Sequence, residues 1–228
     1  MTEVFPDPIR RFMAAAGPEP TAIQMEMQAQ AESERFPIIG PEVGGFLQTL
    51  VGLVDATTVF EFGSGFGYSA SWFLRGMPPE GQIVLTEHDP TELEDARAYF
   101  DRAGLTDRAT FEDGDALAII EEYDGPFDIA LIDHQKERYV DGFEAIRGKI
   151  APGGVVIADN MMRGPLDFED VLAGIEGESS AEQFDDSTAG VIRYLKHVRS
   201  ASGFSSTVLP IGSGVALSHK RRDEQREQ

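Results

Sequence analysis

The sequence predicts an α/β fold: a doubly wound, mostly parallel sheet with helices on both faces, closed by a C-terminal antiparallel hairpin. Three observations support it. Short apolar runs of strand length (TTVFEF, QIVLTE, RATFED, FDIALID and VVIAD) alternate with longer stretches of helical pattern, the order expected of parallel strands joined by crossover helices. FDIALID and GVVIADN are apolar runs that close on polar residues, the grammar of buried strands ending at a sheet rim. The last two runs, FSSTVLPI and GVALSHK, flank a glycine-rich turn, which suits a hairpin laid on the sheet edge. The arrangement is Rossmann-like. At 228 residues the chain has room for one such domain, over 1–220, and not obviously for two.

The elements follow in order. Residues 1–36 read as a helical segment broken by Pro6, Pro8, Gly17, Pro18 and Pro20; Met25, Met27 and Phe36 there suit core packing, or a cover over a site. Pro37 to Gly45 reads as a loop from its proline and glycine content. TTVFEF is the first strand and YSASWFLRGM a helix whose Trp72 and Phe73 belong to the core. QIVLTE follows as a strand, and TELEDARAYFDRAG as a helix capped by Asp89 or Thr91 and stopped by Gly104. RATFED is a strand, ALAIIEEY a helix, FDIALID a strand and VDGFEAIRGKI a helix. APGG then turns into the strand VVIAD. The acidic, glycine- and serine-containing stretch 166–187 reads as a solvated linker or a mobile substrate loop, followed by a helix to about Ser200. Residues 221–228 form a charged tail.

Composition narrows the function. The chain carries 19 Lys and Arg against 40 Asp and Glu, a formal net charge of −21, so nucleic-acid or anionic membrane partners are not expected. There is no cysteine, which excludes disulfides, thiolate metal sites and a cysteine nucleophile. No apolar run approaches the roughly 18 residues of a membrane span, and the first residues lack a signal-peptide pattern, so a cytoplasmic location is expected. The only lysines are Lys136, Lys149, Lys196 and Lys220. So acidic and lysine-poor a surface suits a halophilic protein in a salt-rich cytoplasm, where screening relieves self-repulsion; an ordinary acidic enzyme is the other reading.

Chemistry concentrates at strand ends. FDIALID closes on Asp133 and runs into His134-Gln135-Lys136-Glu137-Arg138-Tyr139, and GVVIADN closes on Asp159-Asn160. Two carboxylates and a carboxamide on one sheet rim suit a hard divalent cation, and a lysine beside them is placed to take a proton from a substrate. His134 reads as structural, or as a wall. The loop Gly63-Ser64-Gly65-Phe66-Gly67, between a strand and a helix, lets backbone approach a ligand. Its spacing departs from the dinucleotide G-x-G-x-x-G, with Tyr68 where a third glycine would stand. Glu61, two residues before the first glycine, would repel a pyrophosphate but would attract an ammonium. Glu87, ending the second strand, suits ribose hydroxyls, with His88 and Asp89 as competitors; the plainer reading of Glu61 and Glu87 is that of solvated strand-end acids. A zwitterionic nucleoside without phosphates, S-adenosylmethionine, satisfies both acids. The same residues admit plainer readings: Lys136 in a surface ion pair, and Asp159-Asn160 as a cap.

On these motifs the chain resembles the class I S-adenosylmethionine-dependent O-methyltransferases, in the metal-dependent branch of catechol and caffeoyl-CoA O-methyltransferases. The resemblance runs from about Phe36 to Gly164, and more weakly to LPIGSGVALSHK; its specific part is the DHxKxRY string. It implies the class I methyltransferase fold, S-adenosylmethionine and Mg2+ or another divalent cation as cofactors, a small phenolic or vicinal-diol acceptor, and a homodimer. It further implies that Glu61 and Ser69 hold the amine and carboxylate ends of the methionine moiety, aided by Ile39, Gly63 and Tyr68. Glu87 would bind the ribose, with His88 beside the adenine and Gly114, Asp115 and Ala116 at its edge. Asp133, Asp159 and Asn160 would ligate the metal, Asp133 would also touch the cofactor amine, and Lys136 would be the general base. Two positions depart from the pattern: Gln135 replaces a tryptophan of catechol O-methyltransferase, and Ala216 stands where an acid grips the second catechol hydroxyl. An NAD-dependent oxidoreductase on a similar sheet and a non-catalytic S-adenosylmethionine-binding module are the competing functions.

Overall fold

The structure, a computed structural model, describes residues 6–222; residues 1–5 of the helical N-terminal segment and 223–228 of the charged tail lie outside the described residues. The N-terminal segment forms two helices, α1 (Asp7–Ala16) and α2 (Ala22–Glu34), separated where Gly17, Pro18 and Pro20 interrupt the pattern. Thr21 and Gln24 cap α2 reciprocally, satisfying backbone donors that the first turn leaves free.

A third helix, α3 (Pro41–Val54), corrects the expected loop over 37–45. Pro41 sits in the first turn, where its missing N–H costs nothing. The two glycines serve contact and not bending: a Cβ on Gly44 would land on the Trp72 indole, and one on Gly45 would meet the Pro18 ring at 2.8 Å.

The alternation then follows: β1 (Thr58–Phe62), α4 (Tyr68–Gly76), β2 (Gln82–Glu87), α5 (Pro90–Ala103), β3 (Ala109–Asp113), α6 (Ala116–Ile119), β4 (Phe127–Ile132), α7 (Tyr139–Arg147), β5 (Ile150–Ala158), α8 (Phe168–Glu176), α9 (Asp186–Ser200), β6 (Phe204–Leu209) and β7 (Val215–Lys220). Asp89 caps α5, and Gly104 ends it with a left-handed φ of 68°. Three expectations change. ALAIIEEY holds only one α-helical turn before a 3-10 turn at Ile120–Glu122. APGG lies inside β5, whose pairing with β4 shifts register between Phe127 and Ile129. The acidic stretch 166–187 is largely ordered into α8 and a 3-10 turn at Ala181–Gln183: Asp167 caps α8, and Gly174 lets it pack directly on Ile192 of α9.

The strand order is β3-β2-β1-β4-β5-β7-β6. The first five strands are parallel, and β7 runs antiparallel between β5 and β6. Side chains alternate across the sheet with a period of two. Val59, Ile129, Leu131 and Ile157 join a core with Trp72, Phe73 and Phe100 on one face; Phe60, Phe62, Ile132 and Val156 join Tyr139, Phe143 and Tyr194 on the other. Met27 is core, whereas Met25 is exposed. Among the described residues no helix is long and apolar enough to cross a membrane.

Candidate active site

Chain order reverses between β1 and β4, and the crevice beyond the carboxyl ends of such strands is where an open α/β sheet receives ligands. A cavity of about 680 Å³ opens there. Gly63, Gly65 and Gly67 all have left-handed φ, at 80°, 48° and 83°. Gly63 is required for a second reason: a Cβ on it would lie 2.9 Å from the carbonyl oxygen of Asp133, so only glycine lets the loop after β1 pass the end of β4. The loop also sets Glu87. One carboxylate oxygen accepts from the Gly65 amide at 2.9 Å, and the other from His88 and Asp89 amides at 2.8 and 3.1 Å. Backbone donors thus fix a buried acid at the cavity wall.

Glu61 is fully buried on β1. One of its oxygens accepts from the Ser69 hydroxyl, and the other, Oε2, has no partner. Burial, reinforced by the charges of Asp133 and Glu87, pushes its carboxyl up to about 8. A carboxylate so placed costs stability unless a cation reaches it. The unfolded chain loses this proton near 4.5 and the folded protein near 8, so the stability contributed by Glu61 falls as pH rises between those values. Glu61→Gln should therefore raise the melting temperature of the ligand-free protein more at pH 8 than at pH 5. A gap that does not change with pH would show that Glu61 is not held neutral.

Lys136, which lines the same cavity, is 7 % exposed. Its Nζ donates to Asp133 Oδ1 at 2.8 Å and to the Tyr139 hydroxyl at 2.6 Å. That hydroxyl lies 3.2 Å from the backbone oxygen of Asp159, so Tyr139 links the ends of β4 and β5. Asp159 is 4 % exposed, and its Oδ1 has no partner. Burial and the nearby Asp133 charge push its carboxyl up. Asn160 follows with a left-handed φ of 62°, a conformation that asparagine tolerates better than most residues.

Among the described residues no group of three or more His, Cys, Asp or Glu forms a metal site; the expected donor set has only two carboxylates, with Asn160 as third. That set fits a hard cation, because two acids with mutually unfavourable charges line one cavity and one of them has an oxygen without a partner. His134 fits no such role. Burial and the charges of Arg138 and Lys136 push its imidazole down to about 4, and its neutral ring lies against Tyr139.

The expected site residues distribute as follows. Ile39, Gly63, Gly65, Tyr68, Ser69, Glu87, His88 and Asp133 line the large cavity together with Lys136, Asp159 and Asn160. Gly114, Asp115 and Ala116 line a smaller cavity of about 190 Å³, which shares Gly63, Glu87, His88, His134 and Gln135 with the first. Asp115 is also spoken for locally: it caps α6 and pairs with Arg138 at 2.9 Å. Glu61 and Gly67 line neither cavity; Glu61 lies behind Ser69, and Gly67 packs toward Phe100 and Leu85. Sequence reasoning gave no site role to Tyr139 or Arg163. Tyr139 ends the DHxKxRY string, which was the available signal. Phe36 packs against the core and also lines the cavity, its ring 5.1 Å from that of Phe66.

A family model described as O-methyltransferase matches residues 21–221. Catechol O-methyltransferase from Niastella koreensis is 36% identical over 129 residues, covering 55% of this chain and 58% of that protein. The Mycobacterium tuberculosis catechol O-methyltransferase is 35% identical over 127 residues, again 55% and 58%. The matched stretch thus spans under two thirds of either curated relative. The O-methyltransferase from Bacillus cereus in complex with SAH superposes with a TM-score of 0.80 and 25% identity, covering 94% of this chain and 97% of that one.

Proposed function

We propose that this chain, which belongs to the O-methyltransferase family, transfers the methyl group of S-adenosylmethionine to one oxygen of a small catechol-like acceptor, with Mg2+ or another divalent cation. One observation carries the reading. Asp133, Lys136, Asp159 and Asn160 line the same cavity as Ser69 and Glu87, so the residues that suit a metal and those that suit a nucleoside share one space. Family membership sets aside the oxidoreductase alternative, and SAH in the Bacillus cereus structure supports the choice of cofactor.

S-adenosylmethionine, when bound, supplies an electrophilic methyl on a sulfonium. Ser69, with Glu61 behind it, receives the amino-acid end, Glu87 the ribose, and the smaller cavity the adenine. Asp133, Asp159 and Asn160 would hold a divalent cation, which would supply Lewis acidity. Lys136 takes the proton from the reacting hydroxyl. Tyr139 and Asp133 fix its amine through hydrogen bonds of 2.6 and 2.8 Å. Orientation supplies much of the rate, because both reactants sit against one rigid sheet rim.

The test is transfer of labelled methyl from S-adenosylmethionine to a panel of vicinal diphenols, with Mg2+ and with excess chelator. Metal-stimulated transfer supports the reading; cofactor binding without transfer to any diphenol leaves a non-catalytic binding module. The salt-adapted reading has its own test. Burial and the charges of Asp89, Glu34, Asp95 and Glu87 push the Glu92 carboxyl up to about 7, a sign of acid crowding where α2 meets α5. Screening should relieve that crowding, so melting temperature should climb steadily from low salt to about 1 M KCl. An unchanged melting temperature contradicts a salt adaptation.

A further inference from the structure

Two cationic side chains other than histidine line the large cavity, Lys136 and Arg163. Lys136 is engaged with Asp133 and Tyr139. Arg163 makes no ion pair among the described residues, although acids outnumber bases 40 to 19 in the chain. Its backbone is held. The amides of Met161, Met162 and Arg163 donate to Gly214, Ser213 and Ser213 carbonyl oxygens at 2.9, 2.8 and 3.0 Å, which clamps the segment after β5 onto the turn between β6 and β7. Arg163, an exposed residue three positions beyond Asn160 in sequence, therefore lines the same cavity as Asp133, Asp159, Asn160, Ser69 and Glu87. An acceptor with two oxygens at Asp133, Asp159 and Asn160 would share that cavity with Arg163.

From this placement we propose that the preferred acceptor is a vicinal diphenol carrying a carboxylate, and that Arg163 is the specificity-determining residue that receives it. The proposal rests on the diphenol reading above. A guanidinium presents paired N–H donors that match a carboxylate. Four acids, Glu87, Asp133, Glu137 and Asp159, line the same cavity, and Lys136 is already engaged, so an anionic acceptor would lack a free cationic partner without Arg163. Specificity then comes from one attractive contact inside a repulsive field.

The experiment compares 3,4-dihydroxybenzoate with its methyl ester as acceptors for wild type, Arg163→Gln and Arg163→Lys. The wild type should favour the acid in kcat/KM by about tenfold, the worth of a partly exposed hydrogen bond to a charged group. Arg163→Gln should collapse that acid-to-ester ratio toward one, and Arg163→Lys should restore part of it. The ratio is internally controlled, since misfolding lowers both activities together. A wild type that uses both compounds equally, or a ratio unmoved by Arg163→Gln, overturns the assignment while the diphenol reading stands. Metal-supplemented wild type that methylates neither compound sinks the diphenol reading and the assignment with it.

Discussion

Lys136→Ala should lower kcat by about two to four orders of magnitude, the usual worth of a positioned proton acceptor, while the dissociation constant for S-adenosylmethionine stays within about twofold. The lysine touches Asp133 and Tyr139 at the β4 end, whereas Glu87 and its amide donors belong to the β1 and β2 ends. Chemistry and cofactor binding should therefore separate. Lys136→Arg sharpens the test, because it keeps a cation beside Asp133 but offers no group that can shed its proton in the working pH range. If Lys136 acts as a base, both variants fail in turnover. If Lys136 is only the counter-charge of Asp133, the arginine variant keeps most activity. Equal loss of turnover and cofactor affinity in both would assign the residue to structure alone.

The second large effect concerns Asp159. Asp159→Asn should abolish metal-dependent activity and, in the ligand-free protein, raise the melting temperature by several degrees. The sign follows from its environment. Its carboxyl is pushed up by burial and by Asp133, so the charged form at neutral pH destabilises the folded state, and a neutral amide removes that cost. Wild type should gain about 2.7 kcal/mol of stability from Mg2+ at a hundred times its dissociation constant, and the variant almost none. Undiminished wild-type turnover in excess chelator would remove the metal from the mechanism.

The strand ends were legible because polar residues terminate apolar runs: Asp133 after FDIALI and Asp159 after GVVIA both reach the same cavity. Helices α3 and α8 were not, and for one reason. Gly44, Gly45 and Gly174 read as breakers, yet each sits where a helix presses against Trp72, Pro18 or Ile192, and tertiary packing outweighs local propensity there. The APGG segment misled similarly, since its glycines serve a register shift within β5 and not a turn before it. Tyr139 gave a motif but no role, because its bond to the Asp159 carbonyl joins residues 20 apart in sequence. Arg163 gave no signal at all: only the clamp of its segment onto the β6–β7 turn brings it to the cavity.

The central claim is that Asp133, Asp159 and Asn160 hold one divalent cation beside an adenosyl cofactor. Crystals grown with Mn2+ and S-adenosylhomocysteine test it through anomalous scattering at the manganese edge. A single strong peak in contact with all three side chains, with the nucleoside lying between Glu87 and Ser69, is the predicted result. An ordered nucleoside with no manganese peak between those side chains would contradict it.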